Sequence, residues 1–329
     1  KEHRFRDSMI KNYKKYFDEI NSAINKIDLS HNPKELYEPI KYILNLKSKR
    51  VRPILSILAF KLNKTKWTNY INPLLAIELF HNFTLIHDDI MDNANIRRGE
   101  KTIHKKWDYN IGILSGDLLM IIANKMLSEL PIEILPIALQ KFNETAIKVC
   151  EGQQYDKNYE NKNSITENEY LEMIRLKTAT LIGFSVEIGG IISKMNEEDI
   201  KKLYQFGEFM GIGFQLKDDY LDVFGDDKFG KKIGGDIILN KKTFLLIKLL
   251  NSANKKEKII INNWLKKSDN PKQKIKEISD MMINKNIHTI TESVINDYFN
   301  KAFKCLDDID IENKDELIEF SKDLINRKN

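Results

Sequence analysis

Helix breakers are scarce in this 329-residue chain, which has 14 glycines and 7 prolines. That scarcity leaves little room for a β architecture, and no run alternates apolar and polar residues between hairpin turns. With two cysteines, Cys150 and Cys305, a disulfide framework is excluded, and a reducing compartment such as the cytoplasm fits. The net charge is small for the length, +5 from 53 basic and 48 acidic residues, and gives no case for a nucleic-acid partner. Long hydrophobic runs are missing too. The most apolar window, 71–90, is broken by Glu78, His81 and two aspartates, so no stable membrane insertion is expected. The N-terminal stretch Lys1–Asp7 has no apolar segment like that of a secretory signal.

What is present is helical periodicity. At 42% hydrophobic residues the chain can bury a substantial core, and we read 1–329 as a single all-α domain. Residues 8–27 are amphipathic at helical spacing. Asn32-Pro33-Lys34-Glu35 predicts a helix start with Asn as cap and Pro at the first helical position. A later helix is expected to end at Glu151-Gly152-Gln153-Gln154-Tyr155-Asp156, followed by a polar loop over 157–165. Thr166-Glu167-Asn168-Glu169 is a capping box, and the helix it opens is expected to stop at Gly189-Gly190. Asn196 caps a helix expected to continue to about Val223.

Two acidic clusters stand out. The segment from Phe80 to Asp92 ends an apolar run in three carboxylates, Asp88, Asp89 and Asp92. At ~100° per residue, Asp88 and Asp92 share a helix face one turn apart, with Asp89 beside them. Carboxylates that close repel unless a cation sits among them. Hard oxygen donors with no cysteine nearby suit Mg²⁺, which keeps several waters and binds through a few carboxylates plus substrate phosphates. A solvated acidic helix end is the plain alternative. Two features weigh against it: the carboxylates end an apolar run, and the spacing returns at Asp218-Asp219-Tyr220-Leu221-Asp222. There Gln215, Asp218, Asp219 and Asp222 form one polar stripe on an otherwise apolar helix, as in a bundle built around a metal site.

Cations accompany the acids. Lys47-Ser48-Lys49-Arg50-Val51-Arg52-Pro53 is either an exposed basic turn or an anion site. Arg97-Arg98-Gly99 follows the first acidic cluster. Lys177-Thr178 falls in mid-helix, its ammonium either aimed at a partner or snorkelling. Phe229 to Asp236 is a glycine-rich basic loop, and Lys241-Lys242-Thr243 opens the next helix.

In this order, the segments resemble the trans-isoprenyl diphosphate synthases, the short-chain polyprenyl synthetases that include geranylgeranyl and farnesyl diphosphate synthases. The likeness runs from about Leu36 to Leu250. It rests on Lys49 and Arg52; Asp88, Asp89 and Asp92 with Arg97-Arg98-Gly99; Lys177-Thr178; Phe214-Gln215 with Asp218, Asp219 and Asp222; Gly230-Lys231 through Asp236; and Lys241. One departure is clear: the family's two glycines before the lysine are Lys47 and Ser48 here. Those glycines bring backbone N–H groups close to isopentenyl diphosphate, so weaker binding of that substrate is expected.

The resemblance implies an isoprenoid synthase fold, a bundle of about ten or more helices around a deep central cavity, usually in a homodimer. It implies head-to-tail condensation of isopentenyl diphosphate with an allylic diphosphate. Asp88 and Asp92 would hold two Mg²⁺ ions and Asp218 a third, with Asp89, Asp219 and Asp222 completing or supporting their shells. Arg97, Lys177, Lys241 and Lys231 would hold the allylic diphosphate; Lys49, Arg52, His81 and Arg98 would hold isopentenyl diphosphate. Thr178 and Gln215 oxygens would face the allylic cation. His87 is either a donor behind the carboxylates or a structural histidine. The expected product is C15 to C20, with C20 favoured. The growing tail is expected to run down the helix from Asp88 and to meet its wall and floor at Thr84, about 6 Å deeper, and Phe80, about 12 Å deeper at ~1.5 Å rise per residue, with Phe83 flanking the gap. The alternatives are a terpene cyclase, an HD-type phosphohydrolase using His81 and His87-Asp88, and a non-catalytic synthase subunit. The first lacks the second D-D-x-x-D, the second leaves Asp218 and Lys177 unexplained, and the third tends to lose an aspartate motif.

Overall fold

The computed structural model describes residues 12–225, 234–267 and 269–326. Helices dominate them: α1 (Lys14–Asn25), α2 (Lys34–Asn45), α3 (Val51–Lys61), α4 (Ile71–Met91), α5 (Ile103–Lys106), α6 (Tyr109–Leu127), α7 (Leu135–Glu160) and α8 (Glu167–Ile174). They continue as α9 (Thr180–Ile192), α10 (Glu197–Phe224), α11 (Gly235–Ile238), α12 (Phe244–Ser252), α13 (Lys255–Lys266), α14 (Pro271–Asn284), α15 (Ile287–Asp307) and α16 (Asp315–Ile325). The one sheet among the described residues is a hairpin of two residues per strand, β1 (Ile96–Arg97) and β2 (Glu100–Lys101). Both residues of its turn, Arg98 at φ 55° and Gly99 at φ 84°, are left-handed, as a type I′ hairpin requires.

The bundle is built around α9. Every residue from Thr180 to Ile192 is buried, and a helix apolar on all sides belongs at the centre of a bundle. It packs along α10 on one side and α3 on the other, while α4 pairs with α6 and α10 with α15. Gly189-Gly190 does not end the helix as expected. A Cβ at Gly189 would lie 2.7 Å from the Phe60 nitrogen, so the glycine is there to let α3 approach. A smaller apolar cluster, including Leu245, Leu249, Ile261, Ile278 and Met282, joins α12 to α14 beside the main core.

Local signals hold at several ends. The Thr166–Glu169 capping box forms, and the Asn196 side chain accepts from the Asp199 N–H at 2.9 Å. Pro33 stands at the cap rather than inside α2. The helix expected to end at Asp156 runs on to Glu160, because Lys157 is held by Asp92 at 2.7 Å and Tyr159 is buried. Among the described residues, the helix with the length and apolarity of a membrane span is α6, with 39% of its window buried in the protein.

One acid sits in the central helix. Glu187 is 4% exposed, and its nearest cation, Lys141, is 3.6 Å away. Burial pushes its carboxyl up to about 7; Lys141 and Lys148 oppose the shift and Glu144 adds to it. A carboxyl raised on folding favours the native state while protonated. Its contribution is full below the unfolded value near 4.5 and is lost as pH rises through about 7. Glu187→Gln should therefore flatten the fall in Tm between those limits and raise Tm by a few degrees at pH 8. Parallel Tm–pH curves for the two proteins would contradict the assignment.

Candidate active site

A cavity of about 1970 Å³ opens among α2, α4, α7, α9 and α10. That is larger than one small ligand needs, about 300–1,000 Å³. Asp88 and Asp218 both line it, from the C-terminal ends of α4 and α10. Carboxylates there face the negative end of the helix dipole, and neither helix has a basic residue in its last turn. The compensating cations come from other elements. Lys177 Nζ lies 3.3 Å from Asp88 and 2.6 Å from Asp156, and Lys157 lies 2.7 Å from Asp92 at the rim. Burial works against the Lys177 ammonium, but Asp88 and Asp156 outweigh it and hold its pKa above the ordinary value.

The remaining acids of the two motifs turn away from the cavity. Asp89 is buried and takes a two-pronged contact from Arg97, at 2.5 Å from Nη2 and 3.1 Å from Nε. Burial raises its pKa against the pull of Arg97. Asp219 is buried, accepts from the Tyr170 hydroxyl and, at 3.1 Å, from Gln215 Nε2. Burial pushes its carboxyl up to about 7, with Asp236 and Asp218 acting the same way and Tyr170 and Gln215 opposing. Asp222 Oδ2 accepts the Asp236 N–H at 2.9 Å. Each motif thus sends one aspartate into the cavity lining; Asp92 stands exposed at the rim, and Asp89, Asp219 and Asp222 hold neighbouring segments.

A second cationic region lines the same cavity. Arg52 Nη1 is 3.1 Å from His81 Nε2. Burial, with Arg52 and Arg98 adding to it, holds the His81 pKa well below the ordinary value. A neutral imidazole that accepts from Arg52 through Nε2 carries its proton on Nδ1, where it is a donor. Lys49, Lys47 and Arg98 also line this end, and Arg98 donates to Asn82 Oδ1 at 3.4 Å. Arg50, the fourth cation of the 47–52 stretch, has a different task. It is 4% exposed, left-handed at φ 48°, and bound to Glu78 at 2.8 Å and to the Leu44 carbonyl at 2.5 Å. Its buried pair with Glu78 shapes the turn that carries Lys49, in a chain without the two glycines.

Lys177 and Thr178 sit on a π-helical turn, Arg175–Ala179, between α8 and α9. The turn is closed by the Thr180 N–H, which donates to the Arg175 carbonyl five residues back, and the Thr180 hydroxyl donates to the same carbonyl at 3.0 Å. The turn packs directly on α7. A Cβ at Gly152 would lie 2.7 Å from the carbonyl carbon of Leu176 and from the Lys177 Cα. Thr178 Oγ1 is 3.3 Å from Gln215 Oε1, and both residues line the cavity.

Of the three tail-contact residues, Phe83 and Thr84 line the cavity, together with Val149, Cys150 and Leu181 from neighbouring helices. Phe80 does not: it is 1% exposed and backs Phe83, with ring centroids 5.5 Å apart. His87 packs on Phe83 and places Nε2 3.1 Å from the Ile113 carbonyl, so the H…HD arrangement does not assemble. Lys241 lies 3.0 Å from Asp236 and outside the cavity lining. Lys231 lies outside the described residues, as does most of its glycine-rich loop. Lys157, Asp156, Glu78, Tyr170 and Gly152 were missed in the sequence; Gln153-Gln154-x-Asp156, on a helix continued by one turn, was the signal available.

Among the described residues, no three His, Cys, Asp or Glu side chains converge into a closed metal site. Single carboxylates facing one cavity instead suit Mg²⁺ ions whose remaining positions are water and phosphate oxygens. The fold and site define a helical synthase with carboxylates at the cavity mouth and room for two anionic ligands. A profile described as polyprenyl synthetase matches residues 33–282, and the chain belongs to that family. It is 36% identical over 307 residues to the geranylgeranyl diphosphate synthase of Saccharolobus solfataricus, covering 91% of this chain and 92% of that one. It is 39% identical over 231 residues to the geranylgeranyl pyrophosphate synthase of Geoglobus acetivorans, covering 70% and 72%. A crystal structure of the geranylgeranyl pyrophosphate synthetase from Pyrococcus horikoshii superposes with a TM-score of 0.88 at 32% identity, covering 99% of both chains.

Because Gly152 sets the depth of the turn carrying Lys177, Gly152→Ala should displace that lysine. Turnover should fall by roughly a hundredfold, the cost of a misplacement near 1 Å, with far-UV circular dichroism unchanged. Wild-type turnover in this variant would show that the close approach is not needed.

Proposed function

We propose that the protein is an Mg²⁺-dependent head-to-tail prenyltransferase that condenses isopentenyl diphosphate with an allylic diphosphate to a C15–C20 all-trans prenyl diphosphate, with C20 the main product. The observation that carries this reading is one cavity with Asp88 and Asp218 at its mouth and two separate groups of cations on its walls. A cyclase needs one diphosphate site; the second group, around Arg52 and His81, favours two. The family membership and the full-length likeness to geranylgeranyl diphosphate synthases support the same reaction and the C20 length.

The chemistry follows from the charges. The allylic C–O bond breaks as diphosphate leaves, and the electrons of the isopentenyl double bond form the new C–C bond. A proton is then lost from the adjacent carbon, for which the released diphosphate is the acceptor. Mg²⁺ held by Asp88, Asp92 and Asp218 would supply Lewis-acid stabilisation of the leaving group. Three ions per site is our count, with Asp89, Asp219 and Asp222 holding the shells in place. Lys177, Arg97, Lys241 and Lys231 bind the allylic diphosphate. Lys49, Arg52, Arg98 and the Nδ1–H of neutral His81 bind isopentenyl diphosphate. Thr178 and Gln215 oxygens face the positive charge that develops on the allylic carbon, where fixed dipoles are most effective.

Phe83 and Thr84 form the wall that limits the tail, and Phe80 supports Phe83 from behind. A homodimer is part of the proposal. Ile113, Leu114 and Ile121 on α6 and Ile147 on α7 are all more than 40% exposed, an apolar face of the kind a partner covers. We place the enzyme in the cytoplasm without a membrane-inserted segment, since α6 packs along α4 and carries Asp117 at mid-length.

Incubating the protein with Mg²⁺, isopentenyl diphosphate and an allylic diphosphate tests the reading directly, with the products separated by chain length. Wild type should give mainly C20. Asp88→Ala and Asp218→Ala should each lose roughly 10²–10³-fold in kcat while remaining folded. Phe83→Ala should lengthen the product by at least one isoprene unit, and Thr84→Phe should shorten it. No condensation by wild type, or a cyclised hydrocarbon in place of a longer diphosphate, would sink the proposal.

A further inference from the structure

Lys274 is a buried cation with no carboxylate paired to it among the described residues. It lies near the start of α14 and is 2% exposed. Its ammonium donates to Asn240 Oδ1 at 2.6 Å and lies 3.2–3.4 Å from the carbonyls of Leu265, Lys267 and Ile238. Ile238 is the last residue of α11, and Leu265 and Lys267 flank the end of α13. Those carbonyls are the orphan acceptors that a helix C-terminus leaves, at the negative end of its dipole. One ammonium therefore closes two helix ends and holds the side chain of the residue before Lys241.

The next residue, Ile275, grips the other end of α11. Gly234 has φ 79°, and a Cβ there would lie 2.6 Å from Ile275 Cγ1. Between the two grips the segment is tied to the proposed active site. The Gly234 N–H donates to the Asp222 carbonyl at 2.6 Å, and the Asp236 N–H donates to the Asp222 carboxylate at 2.9 Å. The Lys241 N–H donates to the Asp236 carbonyl at 2.9 Å, and its ammonium lies 3.0 Å from the Asp236 carboxylate. Asn240, held by Lys274, is left-handed at φ 56°, and that reversal sets the direction in which the chain delivers Lys241.

We propose that Lys274 is a positioning residue for Lys241: by fixing the Ile238–Asn240 turn it places the Lys241 ammonium for the allylic diphosphate, without touching substrate. The inference rests on the reading of Lys241 as an allylic-diphosphate ligand. It assigns a role in the reaction to the C-terminal cluster, which otherwise holds no part of the site. A shift confined to the allylic substrate distinguishes it from a general contribution to stability.

The test compares wild type with Lys274→Met, Lys274→Arg and Lys241→Met. Two readouts are taken: amide hydrogen exchange over residues 234–243, and the separate KM values for the two substrates. Lys274→Met should speed exchange in that segment and raise the allylic KM about tenfold, the equivalent of one charge-assisted hydrogen bond. The isopentenyl diphosphate KM should move by less than about twofold on the same scale. Lys274→Arg should recover most of the allylic KM, and Lys241→Met should show the same one-sided increase. Unchanged exchange would overturn the proposal, as would equal rises in both KM values. Faster exchange with an unchanged allylic KM would overturn the link to substrate. If Lys241→Met is also silent, the fault lies in the assignment of Lys241 rather than in the clamp. Failure of wild type to condense the substrates would strike the functional reading, while the exchange data would still decide whether Lys274 holds the segment.

Discussion

The structure depends on keeping negative charge stable at the wrong end of two helices. α4 and α10 both finish in aspartates, where the dipole is unfavourable and the last turns hold no cation. Every other feature of the site answers that constraint. Arg97 reaches back from the hairpin to Asp89, Lys177 comes across from the π turn to Asp88, and Lys157 extends α7 by a turn to meet Asp92. Tyr170 and Gln215 donate to Asp219 in the interior. Two of these side chains, Lys177 and Arg97, are also proposed to hold the allylic diphosphate. In the proposed reaction Mg²⁺ would neutralise the carboxylates and Lys177 would hold phosphate.

Rigid packing makes this arrangement accurate. Lys177 sits on an irregularity inside the helical core, while Lys49 sits on a short turn and Arg97 and Arg98 on the hairpin, both held by buried contacts. The π turn is pinned between Gly152 and the Thr180 hydroxyl, and the Arg98-Gly99 turn splits two adjacent arginines so that one faces Asp89 and the other Asn82. The buried Arg50–Glu78 pair does the same for the Lys49 turn. Breaking such a pair from one side leaves a buried charge unpaired and costs about 3–5 kcal/mol.

Most of the architecture was legible in the sequence because helices announce themselves through 3.6-residue periodicity, caps and missing breakers. The all-α class, the Thr166 and Asn196 caps and the two aspartate helices are all of this kind. What stayed hidden was set by tertiary contact. Gly189-Gly190 looks like a stop by local rules, yet close approach of α3 keeps it inside a helix. The end of α7 was misplaced because Lys157 is stabilised by Asp92, 65 residues away. Nothing in the Lys177-Thr178 pair signals a π turn. The equal-looking carboxylates of each motif separate only when Arg97, Tyr170 and Asp236 are in place: Asp88 and Asp218 line the cavity, Asp89 and Asp219 are buried, Asp222 is part-buried and Asp92 is exposed. Phe80 and Phe83 cannot be separated by spacing alone, and it is packing on Phe142 that assigns Phe80 to the core.

The central claim is that Lys177, now paired with Asp88, is a ligand of the allylic diphosphate. A crystal structure with Mg²⁺ and a non-reactive allylic thiodiphosphate measures this most directly. The account predicts metal density against Asp88 and Asp218, and the Lys177 ammonium about 2.7–2.9 Å from a diphosphate oxygen, released from its contact with Asp88. Lys177 still seated on Asp88, with the diphosphate bound away from both aspartates, would contradict it.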